Sequence, residues 1–522
     1  MTTAPDAIVI GAGQNGLTCA CYLARAGLKV LVLEAYQRLG GMTLTEELTL
    51  PGFHSDVHAS GYQLANISPV PGELGLATYG LDLIVPDKVY GHAFPDGKAI
   101  VISRDIERSV AAIAAHSARD ATTFRSLLER YHAGRAAFIA SFFSPPASAP
   151  TSSDIQSGFE RYRFGLQSLR SWANETFEAE EVRTLFGGFA AFVGSAPDDA
   201  GGAEIAWLFG AVLQAEGNNL VRGGMNSVTR ALAAELAAHG GDVRTGARVA
   251  RIAVTAGKAT GVVLASGEEI ASGRLVVSAT DPAQLVHRLL DGDIAGEGIV
   301  DAMRRYEWGD ATMTIYLALD GPVPFAAGPE VGETVQVHLS PGSLEALAQA
   351  SIECRAGLLP AEPFIVAWND GAIDPSRVPP GRDHKKLVVL GVPYDVAGDA
   401  RGVIAGSSWD HVRDAYAEHV LQLVEERYLP GLRSRILKAS VHSPVDLERK
   451  LSSAVRGTIS HGAMLPYQTG SMRPIPPLSG YRTPVANVYL ADSGTHPGPG
   501  VSMGSGRNAA GVILHDLGIA FP

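Results

Sequence analysis

Apolar residues in the first 35 positions come in two short runs, AIVI at 7–10 and VLVL at 30–33. Such runs, rich in β-branched residues and leucine, read as strands buried on both faces, as in a parallel sheet. Between them QNGLTCACYLARAG repeats apolar and small residues at helical spacing until Gly27 ends it. The order strand, helix, strand is a compact βαβ unit. Farther on, VRGGMNSVTRALAAELAAHGGDV (221–243) reads as a turn, an amphipathic helix and a strand. ATGVVLASGEEI (259–270) reads as a hairpin, and GRLVVSATDP (273–282) as a buried strand ending at Asp281. NVYLA (487–491) is a strand ending at Asp492, followed by a Gly-Pro-rich loop and a helix that begins near Val501 or Ser502.

The remainder, roughly 76–218 and 290–480, has a different texture. AIVIS (99–103) is a strand that gives way to helices over about 105–218, interrupted by a Pro-Ser-Ala linker. Phe124, Leu127, Leu128, Tyr131, Phe138, Ile139, Phe142 and Phe143 give this region an apolar face. Packing inside a helical subdomain is the expectation for that face, because the dense basic residues that anionic lipid binding wants are missing; dipping into a membrane is the alternative. MTIYLALD (313–320), PFIVAW (363–368) and LVVLGVPYD (387–395) read as strands of a second sheet, and DPSRVPPGRDH (374–384) as a turn.

Composition narrows the class. With 522 residues, 46% hydrophobic and 18% charged, the chain can bury more than one sizeable core. A net charge of −12 without clustered Lys and Arg excludes a nucleic-acid surface. Three cysteines, Cys19, Cys21 and Cys354, make no disulfide framework and suit a reducing compartment. No basic, cleavable leader and no apolar run of about 20 residues is present, so a cytoplasmic protein is expected, with peripheral membrane contact open.

Candidate chemistry begins in the βαβ unit, where Gly11, Gly13 and Gly16 stand at GxGxxG spacing. The first glycine permits the tight turn, the second lets backbone approach a pyrophosphate, and the third lets helix and strand pack closely. The helix N-terminus offers unpaired N–H groups to that pyrophosphate. Glu34, ending the second strand, is placed to accept from a ribose and disfavours a 2′-phosphate, which leaves NAD or FAD. Just beyond it AYQRLGGMTLTEE carries a Gly pair, Gly40 and Gly41.

This N-terminal stretch resembles the FAD-binding segment of the amine oxidase and phytoene desaturase superfamily. One departure is Met42, where many relatives have Arg. The resemblance extends to the order Gly-Gly, helix, strand, hairpin, strand in the middle of the chain, and implies that backbone near Val249 meets the adenine. THPGPGVSMGSGRNAA (495–510) resembles the closing motif of carotenoid desaturases and their ketolase-like relatives. It implies that Asp492 accepts a ribityl hydroxyl, and that Gly500, Val501, Ser502 and the glycines at 504 and 506 bring a helix start close to the flavin, where its dipole would favour the reduced ring.

The resemblance implies an α/β fold: a discontinuous Rossmann-like FAD-binding domain of the GR2 type (1–75, 219–289 and 481–522). An α+β substrate domain with a mixed sheet and a helical subdomain (76–218 and 290–480) completes it. The activity it implies is FAD-dependent removal of hydride from an apolar substrate, as in phytoene desaturases. A flavin amine or small-molecule oxidase is the alternative, and a non-enzymatic prenyl-binding protein of the GDP-dissociation-inhibitor type a second. Oxygen or a quinone would take the electrons, and an oligomer is open. His461 and His496 are candidate residues of the flavin pocket. No pair of histidines has metal-ligand spacing with an acidic companion, so no metal is expected. No GxSxG elbow is present, and Ser493 and Ser502 read as loop hydrogen-bonding residues.

Overall fold

The computed structural model describes residues 4–146, 155–290 and 292–522. The Pro-Ser-Ala linker expected at 144–150 lies largely outside the described residues. Among the described residues no helix is long and apolar enough to cross a membrane.

β1 (Ala7–Ile10), α1 (Gln14–Arg25) and β2 (Val30–Leu33) form where the apolar pattern places them. β1 is the centre of a five-stranded parallel sheet in the order Val488–Leu490, Leu275–Ser278, β1, β2, Asp242–Arg244. Three stretches hundreds of residues apart thus share one sheet. Its buried runs are the reason: neither face of β1 sees water, so each needs a covering layer. One face is covered by α1, the helix Asn226–Ala238 and the C-terminal helix Gly504–Asp516, whose Val512 and Ile513 join Leu17, Leu232 and Leu236 in one core. The other is covered by the antiparallel strands Val249–Thr255, Lys258–Leu264 and Glu269–Ala271 and the helical segments Pro282–Gln284 and Leu285–Leu289, through Ile252, Val262 and Leu285.

The second sheet has seven strands in the order Ile436–His442, Ala311–Leu319, Asp383–Val392, Phe364–Trp368, Gln336–Leu339, Lys88–Ala93, Ala99–Ser103. Its pairs are antiparallel except Gln336–Leu339 with Lys88–Ala93. The helix Trp409–Arg427 packs on one face and the helices between 106 and 216 on the other. In the helix Ala118–Phe142, Phe124, Leu128 and Tyr131 are buried in that helical core, with Leu127 and Phe138 partly buried against it, so the apolar face packs inward.

The 374–384 stretch is more than a turn. A single 3-10 turn, Pro375–Arg377, drives Arg377 into the interior with 0% exposure. There its guanidinium donates to Asp56 Oδ2 (2.7 Å), Asp370 Oδ2 (2.9 Å), Asp374 Oδ2 (3.3 Å) and the Val221 carbonyl (2.9 Å). This knot ties the seven-stranded sheet to the segment after the Gly pair, since Asp56 Oδ1 also accepts from Thr45 Oγ1 and from the Met225 N–H.

Candidate functional site: a cavity between the two sheets

A cavity runs from the end of β1 and β2 to the face of the seven-stranded sheet, with about 2090 Å³ of space free of protein atoms, part of it open to solvent. Gly11, Gly13, Gly16 and Glu34 line it from the βαβ unit, Gly41 and Met42 from the Gly pair, Val249 from the middle segment, and Asp492, Gly500 and Val501 from the C-terminal motif.

The glycines divide by what a side chain would meet. Gly11 holds φ +105°, a conformation L side chains rarely adopt. A Cβ on Gly16 would sit 2.2 Å from the Gly11 carbonyl oxygen and 2.8 Å from Ala279 Cβ, so helix and strand touch there. A Cβ on Gly13 would meet nothing within 4 Å and would point into open space at the cavity wall. Gly40 stands behind the wall: its N–H donates to the Ala12 carbonyl and a Cβ would strike Leu44 and Asn226. Glu34 closes the turn by accepting from the Ala12 N–H (2.7 Å, Oε2) and the Tyr36 N–H (2.8 Å, Oε1). Burial pushes its carboxyl up, against the pull of those two N–H donors.

The chain ends meet through α1. Gln14 Nε2 donates to the Gly500 carbonyl (3.2 Å), Gln14 Oε1 accepts from the Met503 N–H (2.7 Å), and Asn15 Nδ2 donates to Ser493 Oγ (3.0 Å). A Cβ on Gly506 would lie 2.1 Å from the Asn15 carbonyl oxygen. The last helix starts at Gly504, not at Val501 or Ser502: Met503 takes φ 61° and gives its N–H to Gln14, which ends the loop there. Ser502 does not line the cavity; its Oγ accepts from the Gly504 N–H and its carbonyl from Ser68 Oγ.

Of the two histidines, His461 lines the cavity and His496 does not. His496 points back at the end of the helix Ala118–Phe142, with Nε2 3.0 Å from the Ser141 carbonyl oxygen, and a role at the reacting centre does not fit that placement. His461 Nδ1 is 3.6 Å from Asp492 Oδ2 and 3.9 Å from Asp281 Oδ2. These three buried groups form a cluster that spacing along the chain does not reveal. Asp281 Oδ2, both Asp492 carboxylate oxygens and His461 Nδ1 have no hydrogen-bond partner among the described residues. Their ligating atoms lie within 4.8 Å of one another, so the donor set itself would suit a cation as well as hydroxyl groups. Burial and the neighbouring Asp492 raise the Asp281 carboxyl well above the carboxylate range; burial raises Asp492 to about 7. Burial, with the Arg473 charge adding, lowers His461 to about 4. Arg473, 0% exposed, donates to the carbonyls of Ser460, His461, Gln468 and Ser493 and places a positive charge beside the acids. That charge disfavours a metal ion and leaves hydroxyl donors as the better match.

Other wall residues were not singled out in the sequence. Arg248, Arg288 and Lys450 line the cavity, so cations reach it although Met42 stands in the usual Arg position. Toward the seven-stranded sheet the wall turns apolar, with Leu64, Phe192, Phe209, Trp368, Val388 and Leu390, relieved by His58, Ser60 and Gln63. Lys386, fully buried behind them, donates to Ser60 Oγ (2.5 Å) and to the carbonyls of His58 (2.5 Å) and Asp56 (3.2 Å).

A βαβ cradle with an open Gly13, an acid at the end of β2 and a buried set of hydroxyl acceptors fits a dinucleotide with a polyol arm, and the apolar compartment beyond fits an enzyme that oxidises a substrate against a flavin. The chain belongs to the flavin-containing amine oxidoreductase family, whose model matches residues 16–514, and it is an FAD-dependent oxidoreductase. It is 28% identical over 541 residues to a limonene dehydrogenase chain of Castellaniella defragrans, covering 98% of this chain and 95% of that one. It is 28% identical over 537 residues to hydroxyneurosporene desaturase of Cereibacter sphaeroides, covering 98% of each chain. Its fold matches cyclohexylamine oxidase from Brevibacterium oxydans with a TM-score of 0.60 at 16% identity, over 99% of this chain and all (100%) of that one. The desaturase-branch resemblance of the motifs holds across the chain, and the non-enzymatic prenyl-binding reading falls.

Proposed function

We propose that the protein dehydrogenates an apolar, isoprenoid-like substrate. The observation that carries this is the Phe192, Phe209, Trp368, Val388 and Leu390 wall, which borders the cradle and among the described residues carries no carboxylate to meet an ammonium group, Glu34 and Asp492 lying on the cradle side. Relatives named for limonene and hydroxyneurosporene support the same chemistry. FAD supplies the hydride acceptor when bound. In this reading Gly13 and the N-terminus of α1 hold the pyrophosphate, Glu34 the adenosine ribose, backbone at Val249 the adenine, and Asp492 the ribityl hydroxyls, with Asp281 behind it. The apolar wall excludes water and orients a C–H bond toward the ring. Oxygen or a quinone takes the electrons onward.

The test is anaerobic bleaching of the bound flavin, with a polyene such as phytoene or a monoterpene set against cyclohexylamine and putrescine. Bleaching by the hydrocarbons, with colour restored on readmitting air, supports dehydrogenation and oxygen as acceptor. Bleaching by the amines alone would show an amine oxidase instead.

A further inference from the structure

One amide in the apolar compartment is held with unusual care. Gln63 lines the cavity beside Trp368: a Cβ on Gly61 would lie 2.9 Å from the Trp368 ring and 3.1 Å from Gln63 Cδ. Behind it stands a chain of polar side chains with no access to water. Gln336 and His338 are each 0% exposed and so is Asn218. Gln63 Nε2 donates to Gln336 Oε1 (2.5 Å), which also accepts from Asn218 Nδ2 (3.2 Å), while Gln336 Nε2 lies 2.8 Å from His338 Nε2. The surroundings are aromatic: the His338 ring lies 4.6 Å from Tyr90, 4.9 Å from Phe364 and 5.5 Å from Phe192, centroid to centroid.

The directions of these bonds follow from the atoms available. An amide NH₂ can only donate, so His338 Nε2 must accept, which puts the ring proton on Nδ1 and requires a neutral ring. Burial holds the His338 pKa well below its ordinary value, in agreement. With the Gln336 NH₂ committed to His338, its Oε1 faces Gln63 and Asn218 and demands donors from both. The Gln63 NH₂ is thereby turned inward. Its carbonyl Oε1 is left without a donor among the described residues, on a side chain that borders the cavity. Ordering several polar groups inside an aromatic core costs free energy, and Asn218 Oδ1 and His338 Nδ1 stay without a partner among the described residues; the bonds that do form fix which atom of the Gln63 amide is left to the cavity.

We propose that Gln63 reads a hydrogen-bond donor on the substrate. The preferred substrate is then an apolar molecule carrying a hydroxyl group, rather than a bare hydrocarbon. A neutral carbonyl suits a hydroxyl better than an ammonium ion, which would need a carboxylate, and the buried Lys386 ammonium nearby opposes a second cation. Gln63 is the contact residue; Gln336, His338 and Asn218 are positioning residues that act through it. This inference rests on the proposed dehydrogenation of an apolar substrate.

The experiment uses the FAD-loaded enzyme and two matched probe pairs: limonene with perillyl alcohol, and farnesene with farnesol. Binding is read from the perturbation of the flavin absorption band and reaction from anaerobic bleaching. The expected result is an alcohol preference of about 10- to 100-fold in the wild type, the cost of leaving a desolvated carbonyl unpaired when the hydrocarbon binds. Gln63→Leu should collapse that preference to within about threefold while the flavin content and the unliganded spectrum stay the same. Gln336→Leu, which frees the Gln63 amide, should weaken the preference by lowering the response to the alcohols more than the response to the hydrocarbons. Equal response to both members of each pair in the wild type overturns the inference without any variant, and so does a preference that survives Gln63→Leu. A flavin that responds to none of the four probes overturns the apolar-substrate reading and this inference with it.

Discussion

Gly13→Val separates cofactor binding from folding, and Gly16→Ala should do the reverse. Gly13 has φ −77° and ψ 173°, an extended conformation that valine adopts readily, and a Cβ there meets nothing within 4 Å. The folded protein therefore loses no packing, and the smaller unfolded ensemble offsets any residual strain; stability should change by no more than about 1 kcal/mol. The isopropyl group occupies the approach a pyrophosphate needs. Losing two charge-assisted backbone hydrogen bonds at about 1.5–3 kcal/mol each removes roughly 3–6 kcal/mol, or about 10²- to 10⁴-fold in FAD affinity. Gly16 behaves oppositely because its new Cβ would lie 2.2 Å from a backbone oxygen, an overlap that forces α1 off the sheet and costs about 3 kcal/mol or more. The assays are the ratio of flavin to protein absorbance after purification, FAD titration of the apoprotein, and chemical denaturation of the apoprotein. A Gly13→Val protein that keeps flavin at full stoichiometry would refute the reasoning. So would one that unfolds while Gly16→Ala remains stable.

Asp492→Asn should weaken FAD retention, and comparison with the wild type isolates a pH effect. The acid's folded pKa is raised to about 7 from an ordinary 3.8, so in the wild-type apoprotein its contribution to stability is present below about pH 4 and is lost as pH rises toward 7. The denaturation difference between wild type and Asn variant should follow that slope and flatten above it; a pH-independent difference would place the carboxylate in water. Arg377→Met leaves Asp56, Asp370 and Asp374 facing one another without their cation, and should destabilise the protein by about 3–5 kcal/mol in a denaturant titration. A midpoint close to wild type would show that the three acids find other partners.

The cofactor cradle was legible because its requirements are local. A turn with two close approaches, a helix N-terminus and an acid at the next strand end all fall within 24 residues, Gly11 to Glu34, and glycine is the residue that meets each steric demand. The strands read at 313–320 and 363–368 were legible for a similar reason, since burial on both faces leaves continuous apolar runs; the strand read at 387–395 instead spans Asp383–Val392, because the buried polar residues Asp383, His384, Lys385 and Lys386 open it. His496 misled because adjacency to a motif in the chain says nothing of where a side chain points; the loop turns it toward the Ser141 carbonyl.

By itself, then, the sequence determined the nucleotide-binding unit, the alternation of elements and the reach of the flavoprotein resemblance, because short-range sterics and hydrophobic periodicity are written in consecutive residues. Tertiary structure alone decided the Asp281, His461 and Asp492 cluster, the burial of Arg377 among three acids, and the Gln63 amide held by Gln336 and His338. Each unites residues from distant elements, and each draws its chemistry from desolvation and from which donor faces which acceptor. Those quantities exist only once the two sheets have closed around a common cavity.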